Sequence, residues 1–247
     1  MKRILIAGAT STMAKYSARY CAENGCSLFL CGRSEEALQE LKQDLSARGA
    51  HQTGYAVLDM TDYDQHQAVI DKANDFLGGI DMILLAHGTL PDQMACEKSV
   101  AETLDALNTN ALSAIAFITL ISQQFEQQGH GTIAAISSVA GDRGRQSNYV
   151  YGAAKGCLSL YLQGLRNRFG KTNIRVVTIK PGLVISPMTD GFEKGALWAD
   201  AQKVGEGIGK VMLKDKQDIV YLPSFWRWIM LAIGVIPERL FKKLSIG

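Results

Sequence analysis

The sequence predicts an α/β fold in which a doubly wound, seven-stranded parallel sheet carries helices on both faces. Short β-rich runs alternate with longer segments of helical period along the chain. Several of the short runs are continuously apolar, as strands buried on both faces should be. No repeat, low-complexity tract or Pro/Gly/Ser-rich linker interrupts this alternation. We therefore expect one domain over residues 1–247, with an apolar C-terminal extension from about residue 223.

Each predicted strand except the last is followed by a segment that can form a crossover helix. The strands are predicted at residues 3–7, 27–31, 53–58, 81–86, 131–137, 175–179 and 218–221. Residues 186–200 break the alternation before the C-terminus. This segment carries Pro187, Gly191 and Gly195, which are typical of a mobile loop over a site rather than of a packed element.

Composition and charge exclude some classes of function. The 247 residues are 47% hydrophobic and 20% charged, with a formal net charge of +2, so the charge balance gives no reason to expect nucleic acid. The five cysteines are an odd number, and none forms a C-x-x-C pair or lies near a histidine at metal-ligand spacing. We expect reduced thiols and no metal site. The N-terminus opens into a strand pattern rather than a signal peptide, which indicates a cytoplasmic protein.

The turn after the first strand is a candidate pyrophosphate site. Strand one runs into Gly8-Ala9-Thr10-Ser11-Thr12-Met13-Ala14 and then into a helix. In a doubly wound sheet, backbone N–H groups and the helix dipole meet the phosphates of a dinucleotide at this point. The turn has only one glycine, so an ordinary strand-turn-helix connection stays open as an alternative. The predicted cofactor-binding residues in the turn are Gly8, Thr10, Ser11, Thr12 and Met13.

The residues after strand two indicate which dinucleotide binds. An acidic residue here would bind the adenosine ribose of NAD, whereas a basic residue would pair with the phosphate of NADP. The chain has Arg33 and Ser34. A guanidinium suits both phosphate pairing and stacking on adenine, and Ser34 can donate a further hydrogen bond, so we predict NADP(H) in preference to NAD(H). A solvated arginine at a helix start is the alternative.

Two further strand ends reach the same edge of the sheet. Asp59 and Met60 follow strand three, and Ala86 and Gly88 stand at the end of strand four. Ligands of this architecture bind at the carboxyl edge, so these four residues are assigned to the cofactor site. His87 lies between the last two and is interpreted as a wall residue rather than a catalytic base.

Tyr151 and Lys155 form the candidate catalytic pair. They stand four residues apart at the start of a long helical pattern, so both lie on one helix face. A phenol has an ordinary pKa of about 10, and a neighbouring ammonium is expected to lower it by stabilising the phenolate. Ser138, at the end of strand five, is positioned to hold a substrate oxygen while Tyr151 transfers the proton. The same spacing occurs by chance on many surface helices, so it needs independent support.

Several separated segments supply that support, because together they resemble the short-chain dehydrogenase/reductase family. They are Ile136-Ser137-Ser138-Val139-Ala140-Gly141, the step of thirteen residues from Ser138 to Tyr151, the step of four to Lys155, and Pro181-Gly182-Leu183-Val184-Ile185-Ser186. The resemblance runs from the first strand to the seventh. It implies a Rossmann fold, an NAD(P)-dependent interconversion of alcohol and carbonyl, and a homodimer or homotetramer.

The resemblance also implies roles for individual residues. Asn110 matches the family's helix asparagine, which helps to anchor a water in a proton relay through Lys155; a helix-interior Asn without a role is the alternative. Ser138 resembles the substrate-orienting serine and Tyr151 the acid-base. Lys155 resembles the residue that also binds the nicotinamide ribose. The segment that packs on the nicotinamide end matches Pro181, Val184 and Ser186.

The sequence departs from the family's pattern at two places. The family's turn has three glycines, whereas Thr12 and Ala14 stand at the second and third positions here. The usual Asn-Ala-Gly after strand four reads Ala86-His87-Gly88, which removes a side-chain amide beside the adenosine. Both departures concern the fit of the cofactor and leave the chemistry of hydride transfer untouched.

A looser resemblance concerns the substrate. The run Gly141-Asp142-Arg143-Gly144-Arg145, the run Lys180-Pro181-Gly182 and the aromatic C-terminus are similar to a bacterial subgroup that resembles the keto-reducing component of polyprenyl-phosphoryl-ribose epimerases. This similarity implies a keto-sugar or a lipid-linked carbonyl. Arg143 and Arg145 either stand near the substrate mouth, where they would hold a phosphate or carboxylate, or form a solvated loop.

The run from Phe225 to Ile236 is strongly apolar and is followed by Pro237 and by the basic residues Arg239, Lys242 and Lys243. It is too short to span a bilayer, which takes about 20 apolar residues. Three interpretations stay open: a core or dimer-interface helix, a peripheral membrane contact that would make the cytoplasmic protein membrane-associated, and a wall of an apolar substrate pocket.

The sequence therefore predicts an oxidoreductase that uses NADP(H) to reduce a small-molecule or lipid-linked ketone, or to catalyse the reverse reaction. Two rivals remain. A non-enzymatic NADP(H)-binding sensor would not need Asn110, Ser138, Tyr151 and Lys155, and their presence argues against it. A sugar-nucleotide epimerase or dehydratase usually carries a longer substrate domain than the chain after strand six can form.

Overall fold

The computed structural model describes residues 1–214 and 216–244, so the last three residues of the predicted 1–247 domain lie outside the described residues. In this part of the chain, seven strands form one parallel sheet and two short strands form a second. The strands are β1 Arg3–Ala7, β2 Ser27–Gly32, β3 Gln52–Val57, β4 Met82–Leu85, β5 His130–Ile136, β6 Asn173–Pro181, β7 Val184–Ile185, β8 Ala199–Asp200 and β9 Ile219–Leu222.

Helices connect the strands of the large sheet. A π-helical turn at Asn108–Leu112 joins α5 to α6, and single 3₁₀ turns stand at Tyr63–Gln65, Val139–Gly141 and Pro187–Thr189. The helices are α1 Thr12–Glu23, α2 Glu35–Ala47, α3 His66–Leu77, α4 Gln93–Lys98, α5 Val100–Leu107, α6 Ser113–Gln128, α7 Tyr149–Phe169, α8 Ala201–Leu213, α9 Trp226–Val235 and α10 Glu238–Phe241.

The large sheet has the strand order β3-β2-β1-β4-β5-β6-β9, and every neighbouring pair is parallel. The predicted seven-stranded, doubly wound parallel sheet is therefore confirmed. The strand order reverses between β1 and β4, and in folds of this kind ligands bind outside the carboxyl ends of the strands at that point. The carboxyl ends of all seven strands lie along one edge of the sheet, and the predicted site residues follow several of these ends.

Helices cover both faces of the sheet, and the core has two layers. One layer packs α1, α2 and α8 against the sheet through residues such as Leu38 and Ile208. The other packs α3, α6 and α7 against the opposite face through residues such as Phe117 and Leu162. All six residues of β2 are buried, which explains why this strand is a continuous run without alternating polar positions.

The segment at residues 186–200 contains more structure than the sequence indicates. It begins with the 3₁₀ turn Pro187–Thr189, and it ends in β8, which pairs in parallel with β7. The hydroxyl of Thr189 donates to the carbonyl of Val184 at 2.8 Å and ties the turn to β7. The expectation of a loop rather than a packed element is wrong at these two ends, because β8 forms only through pairing with β7, which lies just before the segment.

The C-terminal apolar run forms α9, which is buried on one side through Trp226 and Met230. By length and composition one longer helical run, Val100–Gln128, could cross a membrane. That run includes α6, whose residues Phe117 and Phe125 are fully buried in the core, and a core helix meets the same criterion. The apolar helix α9 is shorter than a span.

Candidate active site

A cleft of about 490 Å³ lies at the carboxyl edge of the sheet, where the strand order reverses. Most of the residues predicted to bind a cofactor line it, although they come from five separate stretches of sequence. Those lining residues are Gly8, Thr10, Ser11, Thr12, Met13, Arg33, Asp59, Met60, Ala86, Gly88 and Ser186. The structure thus brings together side chains that the sequence only places at the ends of separate strands.

After the turn that follows β1, the N-terminus of α1 faces this cleft. Gly8 has a φ of +77°, a conformation that side-chain-bearing residues rarely adopt, and its N–H donates to the Cys31 carbonyl at 2.9 Å. Ser11 caps α1 by accepting a hydrogen bond from the N–H of Ala14 at 3.4 Å. Thr12 and Met13 occupy the first turn of the helix, where the dipole favours an anion.

Ala14, the residue that replaces the family's third glycine, is fully buried. Its methyl group belongs to the core layer formed by α1, α2 and α8. The departure at position 14 therefore adds packing beneath the turn, whereas the departure at Thr12 puts a side chain directly on the cleft wall.

Arg33 and Asp59 stand at the far end of the cleft, after β2 and β3. The N–H and hydroxyl of Thr61 donate to the Asp59 carboxylate at 2.9 and 2.8 Å. These bonds, with a smaller contribution from the charge of Arg33, lower the pKa of Asp59. Ser34 lies outside the cleft lining, and its hydroxyl caps α2 by accepting from the N–H of Ala37 at 3.3 Å.

His87 lies between Ala86 and Gly88 on the cleft wall, as the sequence predicted. The hydroxyl of Ser113 donates to the Thr109 carbonyl at 2.9 Å, so its oxygen accepts from Nε2–H of His87, also at 2.9 Å. The Nδ1 atom is then a buried acceptor without a partner among the described residues. Burial, reinforced by the charge of Lys155, lowers the pKa of His87 to about 3, so the ring is neutral.

Tyr151 and Lys155 lie in the first two turns of α7, and the Lys155 Nζ is 5.8 Å from the centre of the Tyr151 ring. The ammonium donates to the carbonyl of Ile136, at the end of β5, at 3.1 Å. Tyr151 shares a hydrogen bond with Ser138, which follows the same strand. The N-terminus of α7 is therefore fixed to the carboxyl end of β5 through two polar contacts.

Two glycines allow the Ser138 turn to lie directly on α7. A Cβ on Gly141 would stand 2.7 Å from the backbone carbonyl carbon of Lys155 and from the N of Gly156. A Cβ on Gly152 would stand 2.8 Å from the carbonyl oxygen of Ala140. The Ser138 hydroxyl also accepts a hydrogen bond from the Ala140 N–H at 3.1 Å, which fixes its position within the turn.

Asn110 lies in the π-helical turn between α5 and α6, and it is 1% exposed. Its Oδ1 accepts from the Thr89 N–H at 2.9 Å, and its Nδ2 donates to the Ala106 carbonyl at 3.0 Å. A Cβ on Gly88 would stand 2.7 Å from the Asn110 Oδ1 and 3.3 Å from the Lys155 Nζ. Asn110 and Lys155 therefore flank Gly88, and the four candidate catalytic residues form one cluster.

The acid-base balance of this cluster differs from the sequence-based expectation. The lysine was expected to lower the pKa of the phenol. In the structure, burial raises the pKa of Tyr151 to about 12, although the hydrogen bond with Ser138 acts in the opposite direction. Burial also lowers the pKa of the Lys155 ammonium to about 8. The expectation is wrong for this arrangement, because the spacing of four shows which residues share a face but not how little water reaches them.

Besides Ser34, four predicted cofactor residues do not line the cleft: Tyr151 and Lys155, described above, and Pro181 and Val184. Pro181 is buried at the end of β6, opposite Leu222 of β9. Val184 is buried in β7, where it pairs with Ala199. Ser186 reaches the cleft from the end of this segment.

Other cleft residues were missed by the sequence reasoning. Several of them follow a predicted residue and lie two to four residues beyond a strand end, and that position was the available signal. These missed lining residues include Thr61, Thr89, Pro187 and Met188.

Arg143 packs against the C-terminal helices. Its guanidinium donates to the carbonyls of Ile233 and Ile236, at the C-terminal end of α9, and pairs with Glu238 at 3.1 Å. It also stacks over the Phe241 ring at 3.7 Å. Arg143 is thus not part of a solvated loop, since its guanidinium fastens the C-terminal helices to the turn that carries Ser138.

Comparisons with known proteins place this chain among oxidoreductases. A family model described as short chain dehydrogenase matches residues 2–196. A protein of Streptomyces coelicolor, named an uncharacterized oxidoreductase, is 29% identical over 246 residues, which are 99% of this chain and 96% of the relative. An uncharacterized oxidoreductase of Mycobacterium tuberculosis is 27% identical over 241 residues, covering 98% and 96% of the two chains.

Solved structures share the fold. An actinorhodin polyketide ketoreductase with NADPH superposes with a TM-score of 0.81 at 18% identity, covering 95% of this chain and 98% of the other. Levodione reductase superposes with a TM-score of 0.82 at 21% identity, covering 91% and 97%. The fold and the matched sequence define an NAD(P)-dependent oxidoreductase. The chain belongs to the short-chain dehydrogenase family.

Proposed function

We propose that this protein is an NADP(H)-dependent reductase that converts a ketone to a secondary alcohol, with Tyr151 as the proton donor. The observation that carries the proposal is the cluster of Ser138, Tyr151, Lys155 and Asn110 beside the cleft at the sheet edge. The proposed protein is a cytoplasmic homodimer or homotetramer in which residues 1–247 form one domain. The reverse oxidation uses the same groups, and the cofactor ratio decides the direction.

The residues of the cleft fit a dinucleotide. The first turn of α1 supplies backbone donors and a favourable dipole for a pyrophosphate. The unpartnered Nδ1 of His87 is a buried acceptor on the same wall, which suits a hydroxyl of a ribose. Gly88 and Lys155 lie at the other end, next to the catalytic cluster.

Arg33 supports the preference for NADP(H). It lies on the rim of the cleft and is exposed, and no salt bridge to another described residue neutralises it. A guanidinium in this position suits a phosphate on the adenosine ribose. Asp59, the acidic residue opposite it, is engaged by Thr61, which leaves Arg33 as the charged group available to the cofactor.

The bound nicotinamide supplies the hydride, and the residues of this chain act on the carbonyl oxygen. The hydroxyls of Ser138 and Tyr151 share a hydrogen bond, so one oxygen atom can contact both. With a pKa of about 12, Tyr151 keeps its proton at neutral pH and can donate it as negative charge develops on the substrate oxygen. A protonated phenol suits the reductive direction.

Lys155 and Asn110 restore the proton. The Lys155 ammonium lies beside Tyr151 and beside Gly88, whose other neighbour is the Asn110 amide. A pKa of about 8 lets the ammonium release and regain a proton near neutral pH. A water held near Asn110 would connect Lys155 to solvent. The hydrogen bond from Lys155 to the Ile136 carbonyl keeps the ammonium in place during the cycle.

The substrate is proposed to be a small keto-sugar or a lipid-linked carbonyl. Support comes from the looser sequence resemblance and from the position of the apolar helix α9, which packs against Val139, next to Ser138. A peripheral membrane contact through Phe225 to Ile236 forms part of the same proposal.

The test is NADPH consumption by the purified protein against a panel of ketones that includes soluble and lipid-linked keto-sugars. Tyr151→Phe is expected to lose at least about a hundredfold in kcat, because general acid catalysis contributes roughly 10²–10⁴-fold. Tyr149→Phe is the matched control, since this exposed tyrosine stands in the same helical turn. Binding of NADPH without turnover of any ketone would favour the sensor. Purified protein with tightly bound oxidised cofactor would favour the epimerase.

A further inference from the structure

The helix α9 presents an apolar stripe to solvent. Phe225, Trp228, Leu231 and Val235 recur at helical spacing, and the last three are 68%, 58% and 73% exposed. We call these four residues the α9 outer face. Single exposed apolar residues are ordinary on a protein surface, but a continuous stripe of this kind marks an interaction site.

The charges around the α9 outer face are almost all basic. Arg227, Arg239, Lys242 and Lys243 are exposed within residues 223–244. Glu238 is the one acidic residue in that stretch, and its carboxylate is paired with Arg143. An apolar stripe with tryptophan and flanking lysine and arginine side chains has the chemistry of an element that lies in a bilayer interface, where anionic headgroups attract the basic residues.

Other exposed apolar residues have a different charge environment. Val100 and Leu104 are 77% and 58% exposed on α5, and the same helix carries Glu102 and Asp105. An anionic surface would repel that face. The charges therefore favour α9 over α5 as the element that fits a membrane.

The inner face of α9 is fastened to the catalytic turn. Trp226 and Met230 pack against Val139, the residue after Ser138. The Trp226 indole packs directly on the backbone of Gly182: a Cβ added to Gly182 would stand 1.9 Å from the indole Nε1. Arg143, five residues after Ser138 and one after the turn's C-cap, holds the far end of the helix through the carbonyls of Ile233 and Ile236.

We propose that the α9 outer face docks on a bilayer that contains anionic lipid, and that its attachment to the Ser138 turn holds the reductase centre at the membrane surface. The docking itself follows from the exposed stripe and its charges. The functional consequence of the docking rests on the proposed function. If the substrate is a lipid-linked carbonyl, it would meet the reductase centre without leaving the bilayer.

The first experiment is cosedimentation of the full-length protein with vesicles of phosphatidylcholine alone or with phosphatidylglycerol added. Binding is expected with phosphatidylglycerol and is expected to weaken with salt. Leu231→Ser should lower the partition constant about tenfold, since it removes one large side chain from the interface. Leu160→Ser is the matched control: Leu160 is 70% exposed on α7 and lies outside α9, so this change should leave binding within about twofold.

A second experiment tests the charges and the orientation. Replacing Lys242 and Lys243 together by Gln should lower binding to the anionic vesicles roughly twenty-five-fold, or about fivefold per charge. The pair Lys98→Gln and Lys171→Gln removes the same charge elsewhere as a control. Brominated lipids should quench tryptophan emission, and Trp228→Phe should remove most of that quenching, because the indole of Trp226 is buried and the third tryptophan, Trp198, lies outside α9.

Several results would overturn the proposal. One is equal binding to vesicles with and without phosphatidylglycerol. Another is an equal loss of vesicle binding in Leu231→Ser and Leu160→Ser. A third is quenching that does not change in Trp228→Phe. A fall in the oligomeric mass of Leu231→Ser without a loss of vesicle binding would identify a second copy of the chain as the occupant. Vesicle binding is also measured with Tyr151→Phe, and turnover of a soluble ketone is measured without vesicles, so failure of the docking and failure of the reductase chemistry are separate results.

Discussion

Replacing Gly141 by Ala should separate the Ser138 turn from the helix that carries Tyr151 and Lys155. The added methyl group would stand 2.7 Å from two backbone atoms of α7 and 2.9 Å from a third, the carbonyl oxygen of Lys155. Ordinary contact begins near 3.4 Å, so the turn and the helix must move apart by about 0.7 Å. Backbone stands on both sides, and no flexible side chain can yield instead.

Such a displacement acts directly on the shared hydrogen bond of Ser138 and Tyr151. A misplacement of about 1 Å in a catalytic arrangement can cost on the order of 10²-fold in rate, so a shift of this size predicts a loss of roughly 10- to 100-fold in kcat. Overpacking should also lower the free energy of unfolding by about 1–3 kcal/mol. The cleft around α1 and Arg33 is unaffected, and the Kd for NADPH should stay within about twofold.

The assay combines steady-state reduction, fluorescence titration of NADPH and urea unfolding. Gly144→Ala is the control, because this glycine lies three residues further along the same loop and a Cβ there meets nothing within 4 Å. A kcat for Gly141→Ala within about twofold of both wild type and Gly144→Ala would refute the argument that the close approach positions Ser138.

Three further predictions concern charge. Arg33→Ala should weaken NADPH binding about 10- to 100-fold, the range for losing a charge-assisted pair, but change NADH binding less than about threefold, as titration of both dinucleotides will measure. The kcat for reduction should fall as pH rises through about 8, because Lys155 then loses its proton while Tyr151, with a pKa of about 12, keeps its own; a rate that stays flat to pH 10 would contradict this assignment. The ring of His87, with a pKa of about 3, should show no protonation step between pH 5 and 8 by NMR.

The sequence was sufficient to predict the positions of the strands and the clustering of the candidate catalytic residues. Buried parallel strands leave continuous apolar runs, and parallel topology brings their carboxyl ends to one edge, so Gly8, Ser138 and Gly88 could be assigned to that edge from order alone. The 186–200 segment was harder, because β8 forms only through pairing with β7.

The features that escaped prediction depend on tertiary contacts. The partners of Arg143 are carbonyls about ninety residues further along the chain, and a local pattern carries no information about them. The direction of the pKa shift at Tyr151 depends on how far its surroundings exclude water, which spacing does not encode. The close approach of Gly141 to α7 likewise appears only when the turn and the helix are packed together.

The π-helical turn at Asn108–Leu112 sets the orientation of Asn110 relative to the buried face of α6. Within it the N–H of Ser113 bonds to the carbonyl of Asn108, five residues back instead of four, so this helical run holds one residue more than a regular α-helix would. Deleting one residue here would restore regular winding and rotate everything on one side by about 100° relative to the other. Either Asn110 would turn away from Thr89, or Phe117 and the rest of the α6 stripe would turn away from the sheet. Insertions and deletions that a surface loop would tolerate are therefore excluded from these five positions, and relatives that keep the asparagine should keep the length of this run as well.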